Sequence, residues 1–256
     1  MNDVFGGTYA GVYNLIYRDK DYGAECEMLD SLFKRYGNNS ISSVLDLGCG
    51  TGNHAFPISG RGYEVVGVER SDDMFAVAQQ RLSEDASGRI TFRQGDIRNI
   101  QLGRRFDSAL LMFAVLGYQV ENADVLSTLK TARAHLKPGG LLIFDVWYGP
   151  AVLLQRPSER VKVIGSGEDR IIRVASGELD VARHTCAVRF HVWRLAGERL
   201  LAETEETHLM RYFFPLELNL FLECSGFNLI RIGAFPDFDQ DPGEATWNIL
   251  AVARAV

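Results

Sequence analysis

The chain has 256 residues, a formal charge of −6, 46% hydrophobic side chains and four cysteines. That length and apolar content suit one domain, or one domain carrying an insertion, with ample material for a core. The negative charge argues against nucleic acid, whose binders present a basic face to phosphates. No apolar run nears the roughly 20 residues that cross a bilayer. Cys26, Cys49, Cys186 and Cys224 are far apart with no C-x-x-C pair, which argues against zinc and against a disulfide framework. The start, Met1-Asn2-Asp3-Val4-Phe5-Gly6-Gly7, lacks a basic and then apolar leader, so a cytoplasmic location is expected.

Residues 1–40 read as a helical cover. Tyr9, Tyr13 and Tyr17 recur at i, i+4 and i+8 and so share one helix face. Such a stripe suits either a core or the edge of a site, and Lys20-Asp21-Tyr22 follows it. From 41 to 150, strands alternate with helical segments, the pattern of a doubly wound α/β sheet. The first strand runs through Val44-Leu45-Asp46-Leu47 into Gly48-Cys49-Gly50-Thr51-Gly52. Glycines let the backbone turn sharply and approach a ligand, and a helix starting near Asn53 aims its free N–H groups at that ligand. The dinucleotide fingerprint has a third glycine where Asn53 stands, which counts against an NAD-dependent oxidoreductase.

The second strand, Glu64–Glu69, ends on an acid placed to accept two hydrogen bonds from a ribose diol. A third, Ile90–Ile97, carries Asp96 near its end, suited to accept from an adenine amine. Ser71 is a good N-cap for the next helix. Leu110–Leu116 reads as a covered central strand, and Tyr118 follows it into the crevice. A helix is expected over Glu121–Leu136, stopped by Pro138-Gly139-Gly140.

Beyond Asp145, four segments rich in β-branched and aromatic residues (161–164, 170–175, 182–195 and 200–214) read as an antiparallel meander. It is expected to be inserted into, or laid beside, the main sheet as a substrate lid over 151–214. Residues 151–195 carry eight basic groups, from Arg156 to Arg194, against five acidic ones including Glu168. Those charges either coat solvated strand faces or attract an anionic small molecule. A helix at Pro215–Cys224 and strands at 227–235 and 246–254 complete the sheet over 215–256.

Among the histidines, His54 opens the helix after the glycine loop and is expected to cap it or to contact a cofactor, since a positive helix end disfavours its charged form. His184 and His191 read as strand residues on opposite faces, and His135 as a solvated imidazole at a helix end. His208, flanked by acids on a lid strand, is the candidate for substrate contact. No spacing suggests a metal.

As a set, the glycine loop, Glu69, Gly95-Asp96-Ile97, Phe106–Met112 and Leu136-Lys137-Pro138-Gly139-Gly140 resemble class I S-adenosylmethionine (SAM) dependent methyltransferases over residues 40–148. That resemblance implies a seven-stranded Rossmann-like sheet and an enzyme that binds SAM and releases S-adenosylhomocysteine. It also implies that Gly48 to Gly50 approach the methionine part, Glu69 holds the ribose, and Asp96 with Ile97 brackets an adenine packed on Met74. Asp46, Cys49, His54, Arg70 and Met112 join this cofactor set.

A closer likeness, to N,N-dimethyltransferases of nucleotide-linked deoxyamino sugars, rests on Ala10–Tyr17, Lys20–Glu25, Gln94–Arg98, Leu102–Phe106 and Met112–Tyr118. It implies that Tyr22 contacts SAM while Tyr17 and Tyr118 face the amino sugar. The Asp145–Gly149 stretch and a tail lacking the family's arginine depart from that pattern. The expected activity is therefore methylation of a small-molecule amine by positioning without metal. O-methylation of another metabolite, glycine-type amine methylation and a non-catalytic SAM-binding module are the alternatives, and a homodimer is one expected assembly.

Overall fold

The computed structural model describes residues 4–38, 40–85, 87–166 and 169–256. The leader reading of Met1–Asp3 and the charge of Glu168 lie outside the described residues. Strands β1 (Ser43–Leu47), β2 (Glu64–Glu69), β3 (Ile90–Gln94), β4 (Phe106–Leu111) and β5 (Leu136–Trp147) are parallel. A second, separate sheet is built from β6 (Arg160–Ser166), β7 (Asp169–Asp180), β8 (Thr185–Ala196) and β9 (Arg199–Arg211). β10 (Phe227–Ala234) and β11 (Asn248–Ala255) return to the first sheet as its antiparallel edge, giving the order β10-β11-β5-β4-β1-β2-β3.

Side chains alternate across the parallel strands, so each strand feeds two cores. Leu45, Leu47, Leu111, Phe144 and Ala251 pack on one face, with α5 (Asn122–Ala134) and α7 (Pro215–Cys224). Val44, Val65, Leu110, Ile143 and Val252 pack on the other, with α2 (Tyr22–Tyr36) and α3 (Ala55–Gly60). α1 (Gly7–Ile16) packs on α4 (Asp72–Leu82) and on β9. Tyr9, Tyr13, Ile16 and Met74 meet Ile171 and Val192 of the second sheet there. α6 (Gly149–Gln155) links the two sheets along the chain. Among the described residues no helix is long and apolar enough to cross a membrane.

Three expected elements differ. The strand expected through Leu116 stops at Leu111, because Phe113 and Ala114 take positive φ (70° and 57°) and a 3-10 turn, Val115–Tyr118, follows. Non-glycine residues adopt that region only when held there, and the buried Asp145 carboxylate does so by accepting both their amides. The helix expected to reach Leu136 ends at Ala134, and Pro138-Gly139-Gly140 lies inside β5, where the pairing with β4 shifts register. His184 is a turn residue with φ 56° stacked on Tyr212, not a strand residue.

Candidate active site

β1 runs directly into a loop whose Gly48, Gly50 and Gly52 have φ of 75°, 56° and 84°. At Gly48 a β-carbon would lie 2.6 Å from Val115 Cγ1, so the bare loop backbone packs directly against the Val115 side chain of the 3-10 turn. Glu69, at the end of β2, moors the loop. Its Oε2 accepts from the Gly50 amide at 2.9 Å, and its Oε1 accepts from the Arg70 and Ser71 amides, both at 2.8 Å. Burial raises its pKa while those amides oppose the rise. Ser71 Oγ accepts from the Met74 amide at 3.3 Å, capping α4, and donates to the Phe5 carbonyl at 3.1 Å. Behind the loop, Arg81 donates to Asn53 Oδ1 at 2.7 Å, and Asn53 donates to Asn14 at 3.1 Å. Asn53 thus occupies the third glycine slot as a strut.

Asp46 is 1% exposed and its Oδ2 has no partner. Burial pushes its pKa up to about 6, although neighbouring His54 pulls the other way. An unpaired buried carboxylate oxygen costs stability unless a ligand donates to it. A folded pKa raised from 3.8 to about 6 gives stability that is present below pH 3.8 and lost as pH rises through 6. Asp46→Asn is therefore expected to stabilise the ligand-free protein at pH 8 by about 1–3 kcal/mol, with the gain vanishing at pH 3.5. Urea unfolding at the two pH values checks this.

His54 does not cap α3. Its Nε2 donates to buried Glu25 at 2.8 Å, and burial pushes its pKa down to about 4. The caps of the preceding turn are backbone carbonyls, which leaves the ring free to turn inward. Glu25 also pairs with Lys20, whose ammonium lies 4.7 Å from the Tyr22 ring centroid and 4.9 Å from that of Phe113. Burial lowers the Lys20 pKa to about 8. Glu25, Lys20 and Asp145 escaped the sequence reading, since nothing local marks them as neighbours of the glycine loop.

Asp96 lies just past β3. Arg98 engages its carboxylate through Nε at 3.0 Å and Nη2 at 2.6 Å, holding its pKa low. A carboxylate has about four lone-pair positions, so this pairing competes with an adenine amine. Met74, Ile97, Met112 and Cys49 are buried around the strand ends, and Arg70 points to solvent, its amide rather than its side chain meeting Glu69. Tyr22 stacks edge-on against His54 at 5.1 Å.

The other wall comes from α1, the 3-10 turn and the second sheet. Tyr9 and Tyr13 are core, whereas Tyr17 at the end of α1 is half-buried and accepts from Arg173 Nη1 at 3.2 Å. Arg173 Nε is buried without a partner. His208, expected to touch substrate directly, is 1% exposed; its Nδ1 lies 2.9 Å from Tyr118 Oη and its Nε2 2.9 Å from Glu206. Through that phenol it meets the 3-10 turn, and burial raises the phenol's pKa strongly. Gly117 permits the contact, since a β-carbon there would sit 2.9 Å from Met210 Cε and 3.2 Å from the Arg211 carbonyl. A separate cleft of about 610 Å³, lined by Arg98, Arg104, Arg105 and Lys130, contains none of the glycine loop.

A methyltransferase-domain family model matches residues 44–140, from β1 into the start of β5. YqeM of Bacillus subtilis, a methyltransferase by name, is 30% identical over 254 residues, covering 96% of this chain and 95% of that one. The chain belongs to the SAM-dependent methyltransferase family. A second relative of this methyltransferase is dTDP-3-amino-3,4,6-trideoxy-alpha-D-glucopyranose N,N-dimethyltransferase of Streptomyces venezuelae. It is 35% identical over 144 residues, covering 56% of this chain and only 58% of that enzyme. The crystal structure of a SAM-dependent methyltransferase from Clostridium acetobutylicum has the same fold. It superposes with a TM-score of 0.82 at 19% identity, over 96% of this chain and 97% of the other. The features of this methyltransferase's site fit SAM: a loop of glycines with positive φ, an unpaired buried oxygen on Asp46, and Glu69 with about one lone-pair position beyond the three its amides use.

Proposed function

We propose that the protein transfers a methyl group from SAM to the amine of a nucleotide-linked deoxyamino sugar. SAM, when bound, supplies a methyl group already activated on a sulfonium. The loop glycines and Glu69 hold the cofactor's sugar and tail, Asp46 takes its ammonium group, and Tyr22 and Met74 pack beside it. Tyr17 and Tyr118 align the acceptor nitrogen, a positioning role that requires no metal. Residues 1–40 and 151–214 act as covers that exclude water from residues 41–150 and 215–256.

The observation that carries the substrate class is Arg173. Its guanidinium keeps an unpaired donor beside Tyr17, backed by the Phe190 ring at 5.3 Å. A cation with a spare buried donor suits a phosphate or diphosphate, and the Streptomyces relative's named substrate carries one. O-methylation is a second reading, favoured by the buried imidazole of His208 behind Tyr118, because a hydroxyl needs a base.

Radiolabelled SAM offered with a panel of dTDP-amino sugars, simple amines and hydroxylated metabolites tests the proposal. Transfer to the sugar amine supports it, and transfer only to hydroxyls overturns it. Arg173→Met is expected to raise KM for a dTDP-amino sugar by about tenfold, the loss of one charged hydrogen bond, with kcat and SAM affinity within about twofold. Steady-state kinetics on both acceptor and cofactor check that split.

A further inference from the structure

We infer that Glu206, His208 and Tyr118 form a relay that takes the proton from an incoming ammonium group. The inference rests on the amine reading above. Glu206 is 9% exposed at its side chain and accepts the backbone amides of Phe5 and Gly6 at 3.0 and 3.1 Å. Each carboxylate oxygen thus already accepts one main-chain amide, and a carboxylate has no hydrogen to give. His208 Nε2, 2.9 Å away, must then carry the hydrogen. In the neutral imidazole Nδ1 is left with the lone pair, and Tyr118 Oη, 2.9 Å from it, is the donor.

That orientation leaves the phenol oxygen's lone pairs unused by the imidazole, with Glu69 at the glycine loop within electrostatic reach of the phenol. Phe5, Tyr9 and Phe190 enclose the imidazole with ring centroids 4.9, 5.7 and 5.0 Å away, which shields the chain of hydrogen bonds from water. Glu206 is the charged group in contact with His208. Arg173, over Phe190, and Glu69 and Tyr17, within electrostatic reach of Tyr118, are the next titratable groups.

An alkylamine is largely protonated at neutral pH and in that form has no lone pair to offer a methyl group. In the relay, one ammonium N–H bond breaks as the phenol oxygen takes the proton. The phenol's own O–H bond breaks as His208 Nδ1 takes that hydrogen. The positive charge moves from the amine to an imidazolium beside the Glu206 carboxylate, and the amine is left neutral with its lone pair free. After the methylated product leaves, His208 Nδ1 returns a hydrogen to the phenol oxygen and the phenol's other hydrogen passes to water entering the emptied site, which resets the relay. Glu206 acts through His208 as a positioning residue, fixing its tautomer and stabilising its charged state.

The test compares wild type, Glu206→Gln and His208→Gln with dTDP-3-amino-3,6-dideoxyglucose as acceptor, from pH 7 to 9.5. General-base contributions of about 100-fold or more predict a kcat loss of about 100-fold for His208→Gln and about tenfold for Glu206→Gln at pH 7. Both losses should shrink progressively toward pH 9.5, as the neutral fraction of the acceptor rises. SAM affinity by calorimetry should stay within about twofold. Independently of turnover, ¹⁵N NMR of the cofactor-free protein should show His208 protonated at Nε2 and bare at Nδ1, with that preference weakened in Glu206→Gln. Equal losses at every pH, no loss, or an Nδ1-protonated ring in wild type would overturn the relay while wild-type turnover upholds the amine reading. Wild type that methylates no amine fails that reading first and removes the relay's task with it.

Discussion

Asp145→Ala is expected to lower the free energy of unfolding by about 3–5 kcal/mol, the range of a broken buried polar network. Asp145 is fully buried, and its carboxylate accepts the amides of Phe113 and Ala114. Removing it leaves two buried donors without partners and two side-chain-bearing residues in the left-handed region with nothing to hold them. Asp145→Asn keeps one acceptor and should lose about half as much. Chemical denaturation with an unchanged slope checks both. The loss should extend to the site, because the released segment leads straight into the turn that carries Tyr118.

Glu69→Ala is expected to weaken SAM binding by about 1–3 kcal/mol through the proposed ribose contact alone, or about fivefold to 150-fold. The structure pushes the expectation to the upper end. The carboxylate also ties the amides of Gly50, Arg70 and Ser71 together, so its loss frees the glycine loop as well as the ligand contact. Glu69→Gln should fall between wild type and alanine, since an amide oxygen can still accept. Calorimetric affinity unchanged in the alanine variant would reject the role.

These two residues mark what could and could not be read from the chain alone. Glu69 was legible because strand, acid and glycine loop are near neighbours in sequence, and parallel pairing of β1 with β2 brings them together automatically. The alternating cores, the edge strands and the separate meander were likewise legible from period and turn residues. Asp145 was not. Its partners are about thirty residues upstream, just past the end of a different strand, and its effect is to end β4 early, against an apolar run that reads as continuous strand.

The same limit explains Glu206, whose amide donors stand 201 and 200 residues away at Phe5 and Gly6. It explains His54, where helix position suggested a cap but a helix two elements earlier supplied Glu25. Tyr17 and Tyr9 share a stripe, yet it is the second sheet's Arg173 that distinguishes the ring donated to by a cation from the one that is core. Periodicity reports which face of an element is covered. It carries no record of what covers it.

Gly117 sets a boundary for anyone who would retune this protein. With a β-carbon there 2.9 Å from Met210 Cε and 3.2 Å from the Arg211 carbonyl, the gap between phenol and imidazole is set partly by main chain as well as by side-chain choice. Mutagenesis aimed at new acceptors should leave residue 117 untouched and diversify β7, where Arg173 can change size and charge without altering that close approach.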